Sequence, residues 1–137
     1  MGFLLSRASL AMRQHVNRLL KERGVGEVSM GFLGVLLALY TKDGQTITEL
    51  GKSVSLEKST MTGLIDRMEN AGLLTREHDE SDRRAIRIML TQRARDVREN
   101  VGDVLERSYH ELTDNIADAE FKKLEVWLSK FIDNSEK

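Results

Sequence analysis

Residues 55–91 run SLEKSTMTGLIDRMENAGLLTREHDESDRRAIRIMLT, and the fold turns on how this stretch divides. From Leu56 to Asn70 the apolar residues Met61, Leu64, Ile65 and Met68 recur at i, i+3, i+4 and i+7, which gives a helix one buried stripe. At 100° per residue the opposite face carries Ser59, Thr62, Gly63, Asp66 and Asn70, with Thr60 and Arg67 on its flank. Nothing bulky there blocks a close approach. Ser55 stands where an N-cap belongs, and Gly72 where a helix of this length needs a left-handed C-terminal residue. After Gly72 the period changes to two, through Leu73 to Glu77 and again through Ala85 to Leu90, where Ile86, Ile88 and Leu90 share a face. The segment between, residues 79–84, is too polar for a core and makes a hairpin tip. A helix followed by a basic-tipped ribbon is the pattern of a winged helix.

The run DRRAIRIMLT resembles the D-x-R-x5-L-T wing signature of the MarR (multiple antibiotic resistance regulator) family, with Asp82, Arg84, Leu90 and Thr91 at its spacing. KSTMTGLIDRMENAGLLTRE is similar to that family's recognition helix and first wing strand. The resemblance covers residues 46–95, and elsewhere extends only to helix pattern and length. It implies a mainly α fold with a small β-hairpin wing, a homodimer formed through the first and last helices, and double-stranded DNA as partner. It also implies a small aromatic or lipophilic ligand held between the dimer helices and the DNA-binding lobe. Gly63 departs from the family by standing where a base-contacting arginine is common. Ala94 and Glu80 replace a frequent glycine and a frequent wing proline.

Working outward, Thr46 and Glu49 form a T-x-x-E capping box that starts a short helix, so two helices meet near Ser55 as a helix-turn-helix. Before it, MGFLGVLLALYTKDG is apolar nearly all the way round and predicts a central, buried helix stopped at Gly44. A first helix over residues 2–21 carries the stripe Leu5, Ala8, Met12, Val16 and Leu19. Thr91 caps a long helix with the stripe Val97, Val101, Val104, Leu105, Leu112 and Ile116. A break at residues 115–118 leads to a terminal helix with a wide apolar face. Residues 31–91 are thus expected to form the DNA-binding lobe, and residues 1–22 and 92–134 the dimerisation region of one domain. The dimer residues are Leu5, Phe121, Leu124, Trp127, Leu128 and Phe131. The alternative is that Trp127 and Phe131 complete a monomer core.

Composition narrows the chemistry. The 137 residues suit one domain, and 40% hydrophobic with 31% charged residues describes a soluble globular chain. Cysteine and proline are absent, which removes disulfides, thiolate nucleophiles, cysteine metal sites and cysteine redox sensing. Net charge is −1, yet residues 1–98 hold 16 basic against 12 acidic side chains and residues 99–137 hold 5 against 10. A basic body with an acidic terminal segment fits a nucleic-acid partner for the first. Arg7 and Arg13 interrupt the apolar N-terminus, so neither a secretory signal nor a membrane span is expected, and the protein is placed in the cytoplasm. No metalloprotease, nucleophile-elbow, P-loop or dinucleotide motif is present, and an enzyme is not expected. His15, His78 and His110 lack metal-ligand spacing, and no cofactor is expected.

On the recognition helix the expected DNA contacts are Lys58, Ser59, Thr60, Thr62, Gly63 and Arg67. Short hydroxyl side chains read base edges and thymine methyls, Arg67 reads guanine or a phosphate, and Lys58 holds a phosphate. On the wing they are Asp82, Arg83, Arg84 and Arg87. Arg84 at the tip suits a narrow minor groove, Asp82 is expected to fix it by a charge-assisted pair, and Arg83 and Arg87 add phosphate contacts. Met12, His15, Arg18, Phe32, Leu36 and Tyr109 are the expected lining of a ligand crevice. The function that follows is a homodimeric, ligand-responsive repressor. The rival is a winged-helix module that binds protein instead of DNA.

Overall fold

The T-x-x-E box closes as its spacing predicts. Thr46 Oγ1 accepts from the Glu49 amide at 3.2 Å and Glu49 Oε2 accepts from the Thr46 amide at 3.0 Å, which starts helix α3 (Ile47–Val54). The computed structural model, which describes residues 1–137, builds the rest around this turn. Ahead of it come α1 (Gly2–Glu22), a 3-10 turn (Met30–Phe32), α2 (Leu33–Thr41) and β1 (Gln45–Thr46). After it come α4 (Lys58–Asn70), β2 (Leu74–His78), β3 (Ile86–Leu90), α5 (Gln92–Asp96), α6 (Arg98–Leu112) and α7 (Asp118–Ser135).

One expectation at the helix-turn-helix is corrected. Ser55 does not cap α4. It ends α3 in the left-handed conformation, φ 55° and ψ 44°, and Glu57 is the N-cap residue of α4, without a side-chain bond. The three-residue link turns through this one residue at positive φ, and a short polar side chain tolerates that region better than a branched one. Gly51 permits the tight turn from the other side. A Cβ there would lie 3.0 Å from Leu56 O and 3.5 Å from Met61 Cγ.

The ribbon is antiparallel, with Leu74 opposite Leu90 and His78 opposite Ile86. It is not a free two-stranded hairpin, because β1 adds a third strand with Gln45 opposite Ile88. Gly72 takes φ 78° after α4, as its position predicts. The buried stripe of α4, Met61, Leu64, Ile65 and Met68, meets Leu73, Leu74, Ile88, Leu90 and the nearly inaccessible α2 residues Val35, Leu36 and Leu39 in one core.

Thr91 caps α5 by accepting from the Ala94 amide at 3.2 Å, but the helix expected to run on from there breaks at Val97 (φ −84°, ψ −4°). Only the C-terminal half of the α1 stripe is buried: Val16, Leu19 and Leu20 pack within the chain, whereas Met12 is 41% exposed. None of the residues of α7 is buried. Trp127 is 64% and Phe131 49% exposed, so these residues do not complete a monomer core. No helix is long and apolar enough to cross a membrane.

Candidate nucleic-acid interface

Helix α4 buries one side and offers the other. Lys58, Ser59, Thr60, Thr62, Asp66 and Arg67 are exposed, and Gly63 is half-buried. Thr62 Oγ1 donates to Lys58 O at 3.0 Å, which commits its proton to the backbone and leaves lone-pair capacity and a methyl group outward. Ser59 and Thr60 keep their hydroxyls free of internal bonds. Arg67 lies back along the helix, so that a Cβ on Gly63 would sit 3.6 Å from its Nη1.

The wing tip is a folded turn. Asp79 Oδ1 accepts from the Ser81 amide at 2.8 Å and the Ser81 hydroxyl at 2.6 Å, and Oδ2 pairs with Arg87 Nε. The Ser81 bonds, reinforced by Arg87, hold the Asp79 carboxyl well below the usual carboxylate range. The turn closes through Asp79 N–H to Ala85 O and Ala85 N–H to Asp82 O, both 3.0 Å, and His78 Nδ1 donates to Arg83 O at 3.1 Å.

Two expected roles in the wing change. Asp82 does not pair with the Arg84 guanidinium. Its Oδ1 accepts from the Arg84 backbone amide at 3.0 Å, because an aspartate in a turn readily reaches the backbone amide two residues on. Arg87 is not a free phosphate ligand either. Its guanidinium is tied to Asp79 and donates to Gly44 O at 2.8 Å, bracing β3 against the tip and the β1 edge. The remaining motif positions are structural. Leu90 lies in the core, and Thr91 Oγ1 donates to Gly72 O at 2.7 Å, joining the end of α4 to the start of α5.

Ion pairing sorts the cations. Arg18, Arg23, Arg76, Arg87, Arg93, Arg95 and Arg107 each have a carboxylate partner within 3.1 Å. Lys58 and Arg67 on α4, and Arg83 and Arg84 at the wing tip, have none, and all four are exposed. Unpaired cations on a polar helix face and a ribbon tip suit a polyanion.

Sequence reasoning missed Arg76 and Asp43. Arg76 on β2 reaches Asp66 Oδ1 at 2.6 Å and Glu69 Oε1 at 2.8 Å on α4. Asp43 Oδ1 accepts from the amides of Gly44 and Leu90, both at 2.9 Å, and Oδ2 takes Arg95 Nη2 at 3.0 Å, so one carboxylate joins the end of α2, β3 and α5.

The sequence model of the MarR family matches residues 28–86, the span from just before α2 to the first residue of β3. The transcriptional regulator SarZ of Staphylococcus epidermidis is 30% identical over 113 residues, which cover 82% of this chain and 73% of SarZ. The chain belongs to the MarR family. Two solved MarR-type structures share its fold. A mutant MarR from E. coli complexed with operator DNA superposes with a TM-score of 0.82 at 23% identity, covering 95% of this chain and 91% of that one. CouR from Rhodococcus jostii RHA1, bound to p-coumaroyl-CoA, gives 0.74 at 26% identity, covering 95% and 90%.

The residues expected to line a ligand crevice in this MarR-family chain are only partly brought together. His15 and Arg18 meet on α1, where Arg18 Nη2 lies 3.1 Å from His15 Nδ1. Arginine has no acceptor, so Nδ1 is the acceptor and the ring proton sits on Nε2. His15 Nε2 in turn lies 3.0 Å from Glu111 Oε2, off the line of a hydrogen bond. Tyr109 packs edge-on against Phe121 at 5.2 Å. Phe32 is half-buried against the core, and Leu36 has no accessible surface, so Leu36 belongs to the core and not to a crevice wall.

Proposed function

We propose that this DNA-binding transcriptional regulator is a homodimeric repressor of a pseudo-palindromic site. The observation that carries the reading is that Lys58, Arg67, Arg83 and Arg84 stand exposed and without a carboxylate partner on α4 and the wing, where Arg76 and Arg87 are held by carboxylates. In this reading α4 enters the major groove, where Ser59, Thr60 and Arg67 meet base edges and Thr62 offers its methyl to thymine. Lys58 anchors a phosphate beside the first turn of α4, whose amides carry no side-chain cap. Gly63 leaves room for close approach of the helix backbone. Arg84 enters the minor groove, with Arg83 on the flanking phosphates.

A second copy supplies the missing partner of α7 and of the N-terminal half of α1. Leu5, Phe121, Leu124, Trp127, Leu128 and Phe131 lie on that interface, and Leu124, Trp127, Leu128 and Phe131 remain accessible in the single chain. Two-fold symmetry then places two α4 helices in successive major grooves, with half-sites about 10 bp apart. Repression follows most simply, since a dimer seated on a promoter blocks polymerase without a dedicated contact.

The ligand in this reading is a small aromatic or lipophilic acid at the α1–α6 seam. Met12, Arg18 and Tyr109 are exposed, and His15 and Phe32 are half-buried. Its carboxylate would exchange with Glu111 at His15 or with Glu22 at Arg18, whose ion pair has both partners about half-exposed. Surface pairs of this kind are worth under about 1 kcal/mol, so such exchange costs little. Footprinting on DNA upstream of the gene tests the arrangement. Two protected half-sites related by a dyad support it, and a single unpaired footprint contradicts it.

A further inference from the structure

Burial of Leu74, Ile88 and Leu90 against the stripe of α4 brings helix and ribbon together, but apolar contact is non-directional and sets distance better than angle. The polar link between them is Arg76. Its guanidinium sends Nη1 to Glu69 at 2.8 Å and Nη2 to Asp66 at 2.6 Å, two carboxylates three residues apart on α4, and its side chain is only 25% exposed. A planar fork holding two points along a helix resists tilting, because a tilt of α4 against β2 about the guanidinium lengthens one bond while shortening the other.

We infer that Arg76 is a positioning residue that makes α4 and the wing one rigid reader, so that major-groove contacts and the Arg84 contact form together. This rests on the DNA reading above. Arg76 itself touches no DNA in this account. Its charge is met by Asp66 and Glu69.

The test uses a duplex that the wild-type protein selects from a randomised pool, and affinities of wild type, Arg84→Ala, Arg76→Ala and the double variant. Arg84→Ala is expected to weaken wild-type binding by about 10-fold. Once Arg76 is alanine, the same change is expected to cost less than about 3-fold, since a wing out of register has little left to lose. The pair Asp66→Asn with Glu69→Gln breaks the clamp from the helix side and gives the same loss of coupling, which serves if Arg76→Ala fails to fold. Arg76→Lys, a point charge that cannot fork, keeps the thermal midpoint but not the coupling. Equal costs of Arg84→Ala in all backgrounds overturn the inference and leave the DNA reading standing. A pool from which the wild type selects nothing overturns the DNA reading and this inference with it.

Discussion

Arg84 donates its backbone amide to Asp82 Oδ1 at 3.0 Å, and that bond aims the wing tip while leaving the guanidinium uncommitted. The two residues therefore play separable parts. Arg84→Ala should weaken DNA binding by about 10-fold with an unchanged thermal midpoint, as expected for loss of a charged groove contact. Asp82→Asn keeps an oxygen acceptor for the amide and should bind nearly as well as wild type, whereas Asp82→Ala should not. Equal losses for the two Asp82 variants in an anisotropy titration would show that charge, not the turn, is what Asp82 supplies.

Two helical glycines should respond to alanine with opposite signs. At Gly51 the new Cβ meets a backbone carbonyl at 3.0 Å, and Gly51→Ala should destabilise by about 1–3 kcal/mol through overpacking of the turn. At Gly63 it meets only the end of the Arg67 side chain at 3.6 Å, and Gly63→Ala should stabilise by about 0.5–1 kcal/mol through helix propensity. Urea denaturation separates them. A stabilised Gly51→Ala would mean that the link between α3 and α4 is looser than described.

The wing turn should withstand mild acid. Bonds from Ser81, then Arg87, lower the Asp79 carboxyl below its ordinary value, so its contribution is fully present above the unfolded value and is lost only as pH falls through the folded one. Between pH 7 and 5 the Ser81 amide should keep its protection in hydrogen exchange. Asp79→Asn should lower that protection at every pH in this window. Protection that vanishes near pH 4 to 5 in the wild type would contradict the assigned bonds.

Trp127 tests the pairing of copies. Replacement by glutamate places a charge on an α7 face that the single chain leaves open. Sedimentation should show wild type at twice the chain mass and Trp127→Glu dissociating at least about 30-fold more readily, as for loss of an aromatic anchor. An unchanged dimer would move the interface elsewhere.

What was legible in the sequence was local. The stripe of α4, the capping box at Thr46 and Glu49, the left-handed Gly72 and the cap at Thr91 each depend on residues a turn or less apart. The role of Ser55 is not legible this way, because serine between two helices suits an N-cap by type and here takes the left-handed conformation instead. The strand Gln45–Thr46 is too short for any period to show. Which arginines are spent and which are free was hidden too. Arg76 finds partners seven and ten residues away, and Asp43 finds Leu90 and Arg95 about fifty away, distances that only the packed core closes. The apolar face of α7 was plain, whereas the surface that covers it lies outside the single chain.

The most direct measurement is fluorescence anisotropy with the DNA immediately upstream of the gene beside a scrambled duplex, across a salt series. Sequence-specific reading by α4 and the wing requires binding at least ~10³ tighter to the upstream duplex, with affinity falling steeply as salt rises. Equal, salt-insensitive binding to both duplexes would contradict it.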